Sequence, residues 1–89
     1  LQGGAQKLSR SVLCNLGEGS IAKGLKDIQD KHPEIDIGSY PHYSRANYRL
    51  SLVIRGFDDQ QLLYVQEAVH KMIRDLGGEP IRGEEVDNK

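Results

Sequence analysis

Residues 48–56 have the sequence YRLSLVIRG, in which apolar and polar side chains alternate. Successive side chains of a β-strand point to opposite faces of a sheet, so this pattern predicts a strand with one buried face. Four side chains are expected to face the core: Tyr48, Leu50, Leu52 and Ile54. The four between them are expected to face outward: Arg49, Ser51, Val53 and Arg55. The strand therefore needs an apolar partner on only one of its faces.

The sequence before this strand predicts two further strands and a helix. The first strand is indicated by alternate apolar residues: Val12, Cys14 and Leu16. Ser20 is suitably placed to cap a helix that runs to about residue 32, where Pro33 ends it. Residues 34–40 then predict a short strand that stops at Gly38, where a turn begins.

A second helix and a brief last strand are predicted after residue 56. Asp58 or Asp59 is the expected N-cap, and Asp58 with Gln61 has the spacing of a capping box. The apolar residues of the helix recur at three- and four-residue spacing: Leu62, Val65, Val69, Met72 and Leu76. Gly77 is expected to end the helix, and residues 79–83 predict a short edge strand because they contain a proline.

The order of these elements predicts an α+β domain with the ferredoxin-like split βαββαβ plan. Its four-stranded antiparallel sheet would have strands one and three in the middle, and both helices would cover one face. We expect residues 1–7 to be a linker remnant, residues 8–82 to be the domain, and residues 83–89 to be a flexible acidic tail. The other face of the sheet would be open.

The composition excludes several classes of function. The chain has 89 residues, with 12 basic and 13 acidic side chains, so a broad basic surface for nucleic acid is not expected. No apolar run approaches the length of a membrane-spanning helix, and a cytoplasmic location is expected. Cys14 lies mid-strand and is expected to be a buried core residue rather than a nucleophile. The histidines are far apart in sequence, so we expect no metal site, no cofactor and no catalytic residue in this chain.

Two surfaces are candidates for recognition. The turn after the second strand is rich in aromatic and polar side chains, which is typical of recognition loops, although it also fits a plain hairpin connection. The candidate residues of this turn are Gly38, Ser39, Tyr40, Pro41, His42, Tyr43 and Arg45. The second candidate is a docking patch on the open face of the sheet, with Leu13 and Val53 as its apolar centre.

Residues 18–56, EGSIAKGLKDIQDKHPEIDIGSYPHYSRANYRLSLVIRG, also carry a family resemblance. The features that carry it include Gly19–Ile21 before the helix, Pro33 after it, and the run IGSYP at residues 37–41. The chain resembles the small domain that follows the molybdopterin-binding-like (MoCF) domain in CinA-related competence/damage-inducible proteins and in two-domain FAD synthases.

This resemblance implies an accessory role. In such proteins the nucleotide-binding and catalytic residues belong to other domains, so none is carried over to this chain. The implied function is a non-catalytic accessory or oligomerisation domain of a parent enzyme of FAD synthase or nucleotide pyrophosphatase type. The implied partners are the preceding MoCF-like domain of the same chain and a second copy in a homo-oligomer. The alternative is a small ligand-binding module that recognises a nucleotide or flavin through the turn from Tyr40 to Tyr48.

Overall fold

A computed structural model describes residues 7–41 and 50–82 of the chain. It contains the elements β1 (Leu8–Cys14), α1 (Glu18–Lys31), β2 (Asp36–Pro41), β3 (Leu50–Gly56), α2 (Asp59–Asp75) and the two-residue β4 (Ile81–Arg82). The order of helices and strands agrees with the order expected from the sequence. The chain therefore forms a small α+β fold.

Three strands form an antiparallel sheet in the order β2-β3-β1. The register between β1 and β3 runs from the pair Leu8–Gly56 to the pair Cys14–Leu50. On the other side of β3, β2 pairs along its whole length. On the side of β1 away from β3, only two residues of β1 pair with β4, namely Val12 and Leu13. The central position of β3, between β2 and β1, is the one that the sequence predicted.

The core lies between one face of this sheet and both helices. Its fully or almost fully buried members are Val12, Cys14, Ile21, Ile35, Leu50, Leu52, Ile54, Leu62, Val65, Val69 and Ile73. In β3 the three described residues predicted to face inward are all buried, which confirms the alternation. α2 contacts β1 and β3, while α1 contacts α2 and β2. Each fully buried aliphatic side chain contributes roughly 1.5–3 kcal/mol to folding.

The predicted end of the second strand is wrong. Gly38 does not stop β2, which pairs with β3 as far as Pro41. A glycine lowers strand propensity but leaves the backbone free to pair, and here Gly38 lies opposite Val53. Pro41 is the last residue of β2, on the outer strand of the sheet, where the missing N–H of proline is tolerated.

One of the two predicted helix caps differs from the structure. α1 begins at Glu18 with Gly17 as its N-cap, so Ser20 lies inside the first turn and is not the cap. Asp58 does cap α2, because its carboxylate accepts a hydrogen bond from the Gln60 N–H at 3.1 Å. The capping box is wrong, since the Gln61 amide donates to Glu34 at 2.7 Å instead. A contact between distant residues has replaced the local one.

Candidate functional site

Within residues 7–41 and 50–82, both helices pack against one face of the sheet, and the face on the opposite side is called the open face. Alternation and register assign nine described positions to this open face: Ser9, Ser11, Leu13, Asp36, Gly38, Tyr40, Ser51, Val53 and Arg55. The alternate positions of the same strands lie on the helix side, where they include the core residues Val12, Cys14, Leu50, Leu52 and Ile54. The open face therefore consists of side chains that the fold itself does not need to bury.

Two apolar side chains, Leu13 and Val53, lie among serines near the centre of the open face. Val53 lies between Ser11 of β1 and Gly38 of β2, and the next row places Ser51 between Leu13 and Tyr40. Leu13 and Val53 are thus diagonal neighbours on adjacent strands, within the reach of side-chain contact. Both are half-buried. The structure brings the two predicted docking residues to one patch, and their role in docking stays a prediction.

Tyr40 lies across Gly38 on this face. A Cβ atom added at Gly38 would come within 3.0 Å of the Tyr40 hydroxyl oxygen and 3.2 Å of ring atom Cε2. Residues two apart in a strand share a face, so the absent side chain of Gly38 leaves the space that the ring occupies. The Tyr40 side chain is still 48% exposed. The spacing of glycine and tyrosine in the run IGSYP therefore holds an aromatic ring against the open face.

One end of the open face is charged. Arg55 pairs with Asp36 in the register of β2 and β3, and the Lys7 ammonium group lies 2.9 Å from the Asp36 carboxylate. The same ammonium group lies 6.0 Å from the centre of the Phe57 ring. Because Lys7 and Asp36 are both well exposed, this ion pair adds little to stability. The open face thus changes from apolar around Val53 to charged around Arg55.

The candidate recognition turn is only partly described. Gly38, Ser39, Tyr40 and Pro41 belong to β2, so their backbone is a strand and not a turn. The Ser39 hydroxyl donates to the Glu18 carboxylate at 2.8 Å, on the helix side of the sheet, whereas Tyr40 is on the open face. These strand residues therefore do not share one surface. His42, Tyr43 and Arg45 lie outside the described residues.

Cys14 is part of the core, as predicted. Its side chain has no exposed surface, and the Leu16 N–H donates to the Cys14 sulfur at 3.4 Å. Burial raises the pKa of the Cys14 thiol, with a smaller opposing effect from the hydrogen bond at Leu16. A neutral buried thiol is a poor nucleophile, so this cysteine is structural.

Neither a metal-ligand cluster nor a membrane-spanning helix occurs in the described part of the chain. Within residues 7–41 and 50–82, histidine, cysteine and carboxylate side chains form no group of three that could hold a metal ion. Over the same residues no helix is long and apolar enough to cross a bilayer.

Sequence reasoning missed a polar cluster that joins α2 to β1. Gln66 has no exposed surface, and its side-chain amide donates to the Ser11 carbonyl at 3.0 Å. Arg10 donates to the Gln66 side-chain oxygen at 3.4 Å and to both Asp59 oxygens, at 3.1 and 3.0 Å. The Arg10 hydrogen bonds lower the pKa of the Asp59 carboxyl, against a smaller opposing effect of desolvation. Arg10 gave one signal in the sequence, since a charge at an inward position of β1 needs a partner.

Comparison with known families identifies the family to which the chain belongs. The family described as FAD synthase, middle domain, matches residues 6–80 of the chain. The chain belongs to the FAD synthase middle-domain family. The matched residues of this FAD synthase middle domain include both helices, the three long strands and every described position of the open face.

Two further comparisons place this FAD synthase middle domain among other proteins. No curated protein matches the chain. Among solved structures, it is similar to a C-terminal segment of the alpha subunit of aIF2 from Pyrococcus abyssi, with a TM-score of 0.58 and 16% identity. The alignment covers 92% of this chain and 51% of the other, so the middle domain spans about half the length of that structure. At this identity the similarity shows the α+β fold alone.

Proposed function

We propose that this middle domain is a non-catalytic accessory domain of a FAD synthase-like protein, and that its open face packs against a neighbouring domain of the same polypeptide. One observation carries the proposal. Leu13, Val53 and Tyr40 lie in two adjacent rows of a face that neither helix of the domain covers, with Ser51 between Leu13 and Tyr40. The family is described as a middle domain, so other parts of a FAD synthase are expected on both sides of it.

The size of the open face favours a covalently linked partner. Three strands spaced about 4.8 Å apart and about 20 Å long present roughly 300 Å². Stable complexes of separate proteins bury about 800 Å² on each partner, whereas interfaces between domains of one chain begin at about 600 Å² in total. A short linker also provides an effective concentration in the millimolar range. A neighbour on the same chain can therefore dock on a patch of this size, while a second copy needs additional surface.

The sequence resemblance suggests which neighbour this is. The resemblance carried by residues 18–56 implies a molybdopterin-binding-like domain before the small domain, and we propose such a domain as the occupant of the open face. We further propose that the fold is the complete ferredoxin-like plan, which the strand order β2-β3-β1-β4 supports. The parent would then act in the cytoplasm on nucleotides, and its cofactors would bind to other domains.

The test replaces the centre of the patch in the parent protein. Leu13→Asp with Val53→Asp puts two charges into the proposed interface, and Ala22→Asp with Leu63→Asp is the matched control on exposed helix positions. We expect the first pair to release the domain, so that limited proteolysis cuts its linkers faster while the mass from light scattering stays the same. The control pair should leave the linkers protected. Halving of the mass would assign the face to a second copy, and unchanged proteolysis and mass would overturn docking altogether.

The exposed Tyr40 ring supports a second candidate function. An aromatic ring held flat against a sheet can stack on another ring, and about half of this one is open to solvent. The candidate is a module that binds the adenine or flavin part of a nucleotide. Titration of FAD and of ADP-ribose into the isotopically labelled chain should then shift the Tyr40 ring signals, with Tyr40→Leu as the non-binding control. Absence of any shift at millimolar ligand would reject it.

A further inference from the structure

The outer edge of β2 is a place where a sheet of this kind can add another strand. An edge strand presents backbone N–H and C=O groups that can pair with a second chain. Beside this edge, a cleft of about 260 Å³ between α1 and β2 is lined in part by Ala22, Leu25 and Ile37. The cleft is also lined by the polar residues Glu18, Lys26 and Gln29. A cleft next to a strand edge is the arrangement by which proteins accept an extended peptide. The hydrogen-bonding state of β2 therefore determines whether this surface can bind a partner.

The Gln29 side chain occupies one end of this edge. Its oxygen accepts the Ile37 N–H at 3.1 Å. Its amide group donates to the His32 carbonyl at 3.2 Å and also to the Ile35 carbonyl. Gln29 reaches all three groups from the last turn of α1, and it is partly buried. This side chain thus occupies the Ile37 donor that an incoming strand would use, and it also binds two carbonyl groups of the turn before β2.

The hydrogen bond to Gln29 also shows which backbone groups of β2 point away from β3. In an antiparallel pair, successive residues point their N–H and C=O groups alternately toward the partner strand and away from it. Because the Ile37 N–H goes to Gln29, the backbone groups of Ile37, Ser39 and Pro41 point away from β3. Pro41 has no N–H. The outer edge of β2 therefore offers one open donor, at Ser39, with Gln29 on one side of it and Pro41 on the other.

We infer that Gln29 and Pro41 close the β2 edge to strand addition, and that this closure prevents a second copy of the chain from pairing there. Ser39 is then the one position of β2 that offers an incoming strand a donor, whereas the carbonyl oxygens of Ile37 and Pro41 remain acceptors. A single donor is far below what the five or six residues of an ordinary strand supply. The inference concerns a different surface from the open face and stands or falls independently of docking there. Gln29 is a positioning residue, and its removal would free the Ile37 N–H to pair with an added strand.

Amide exchange in the unaltered chain is the first test. Outward-pointing amides of an edge strand normally exchange quickly because water is their only partner. After correction for intrinsic rates, we expect the Ile37 amide to exchange about tenfold more slowly than the Ser39 amide, since only Ile37 has an acceptor on the protein. Equal corrected rates at the two positions would overturn the inference without the need for any variant.

Replacement of Gln29 is the second test, and Gln60→Ala on the exposed start of α2 is the matched control. Gln29→Ala should self-associate at concentrations about tenfold lower than the unaltered chain or the control, by light scattering, and its Ser39 amide should become protected in the associated form. A folded Gln29→Ala variant with the mass of the unaltered chain at every concentration would contradict closure. If that variant does not fold, Gln29→Glu keeps the acceptor for Ile37, and rapid exchange of its Ile37 amide would count equally against the inference.

Discussion

The two faces of the same sheet differ in what their side chains do. Leu52 and Ile54 have no exposed surface and contact the helices, whereas Val53 between them is half-buried on the open face. The same division holds in β1, where Val12 is fully buried and Leu13 is not. One set of alternate residues of each strand therefore forms the core, and the proposed contact with a partner would use the other set. A substitution on the open face should therefore have little effect on the packing of the core.

The largest expected difference between the faces is in stability. Leu52→Ala leaves a cavity beneath the helices and should lower the free energy of unfolding by about 2–5 kcal/mol. Val53→Ala, one residue further on, should lower it by less than about 1 kcal/mol because the side chain is not enclosed. Urea unfolding followed by circular dichroism measures both. Equal losses for the two variants would show that the open face is part of the core.

Polar side chains on the covered face should also contribute to the free energy of unfolding. Gln66→Ala removes the amide that bonds the Ser11 carbonyl and leaves Arg10 without one of its acceptors. We expect a loss of about 1–3 kcal/mol in the free energy of unfolding, since buried polar groups lose their partners. Gln60→Ala changes the same type of residue at an exposed site of the same helix and should have almost no effect. A neutral Gln66→Ala variant would mean that this cluster does not hold α2 to β1.

The sequence predicted the covered face well because alternation is a local property. The spacing of Leu50, Leu52 and Ile54 is sufficient to assign these residues to one side of a strand. It could not predict the hydrogen bonds of Gln29 or Gln66, whose partners depend on how α1 and α2 lie on the sheet. The end of β2 was misplaced for the same reason, since pairing with β3 extends the strand past Gly38.

The sequence predicted which residues lie on the open face, but it did not predict the contacts between their side chains. Outward alternation identified Leu13 and Val53 without any structure. The run IGSYP marked Tyr40 as a residue of interest, but the contact of its ring with Gly38 appears only when the side-chain direction is known. The aromatic residues after Pro41 remain outside the described part of the chain, so their role stays a prediction.

A smaller effect is expected from pH at the Arg10–Asp59 pair. The folded-state pKa of Asp59 lies below its unfolded value of about 3.9, so ionised Asp59 stabilises the fold above that pH. This contribution is lost as the pH falls through the lower, folded-state pKa. Arg10→Met should raise the Asp59 pKa toward its ordinary value, as followed by NMR titration of the carboxyl carbon. The stability difference between the variant and the unaltered chain should also narrow below about pH 4, and a constant difference would exclude a role for the Asp59 charge.

The smallest expected effect is at Gly38, where the open face can be altered without touching the core. Gly38→Ala places a methyl group against the Tyr40 ring, and the half-exposed ring can move aside, so stability should change by less than about 1 kcal/mol. In the unaltered chain the Gly38 Hα signals should be displaced by the ring current of Tyr40. In Tyr40→Leu that displacement should vanish. Ordinary Gly38 Hα positions in the unaltered chain would contradict the contact.

The separation of the two faces is tested most directly by mapping the contact with the rest of the parent protein. Backbone amide signals of the isolated 89-residue chain are compared by NMR with those of the same residues in the parent protein, labelled in this domain alone, because the proposed contact depends on covalent linkage. Docking on the open face predicts that Leu13, Val53 and Tyr40 shift or broaden, while exposed helix positions such as Ala22 and Leu63 do not. Changes confined to the helices, with the open-face signals unaffected, would contradict the assignment of partner contact to the open face.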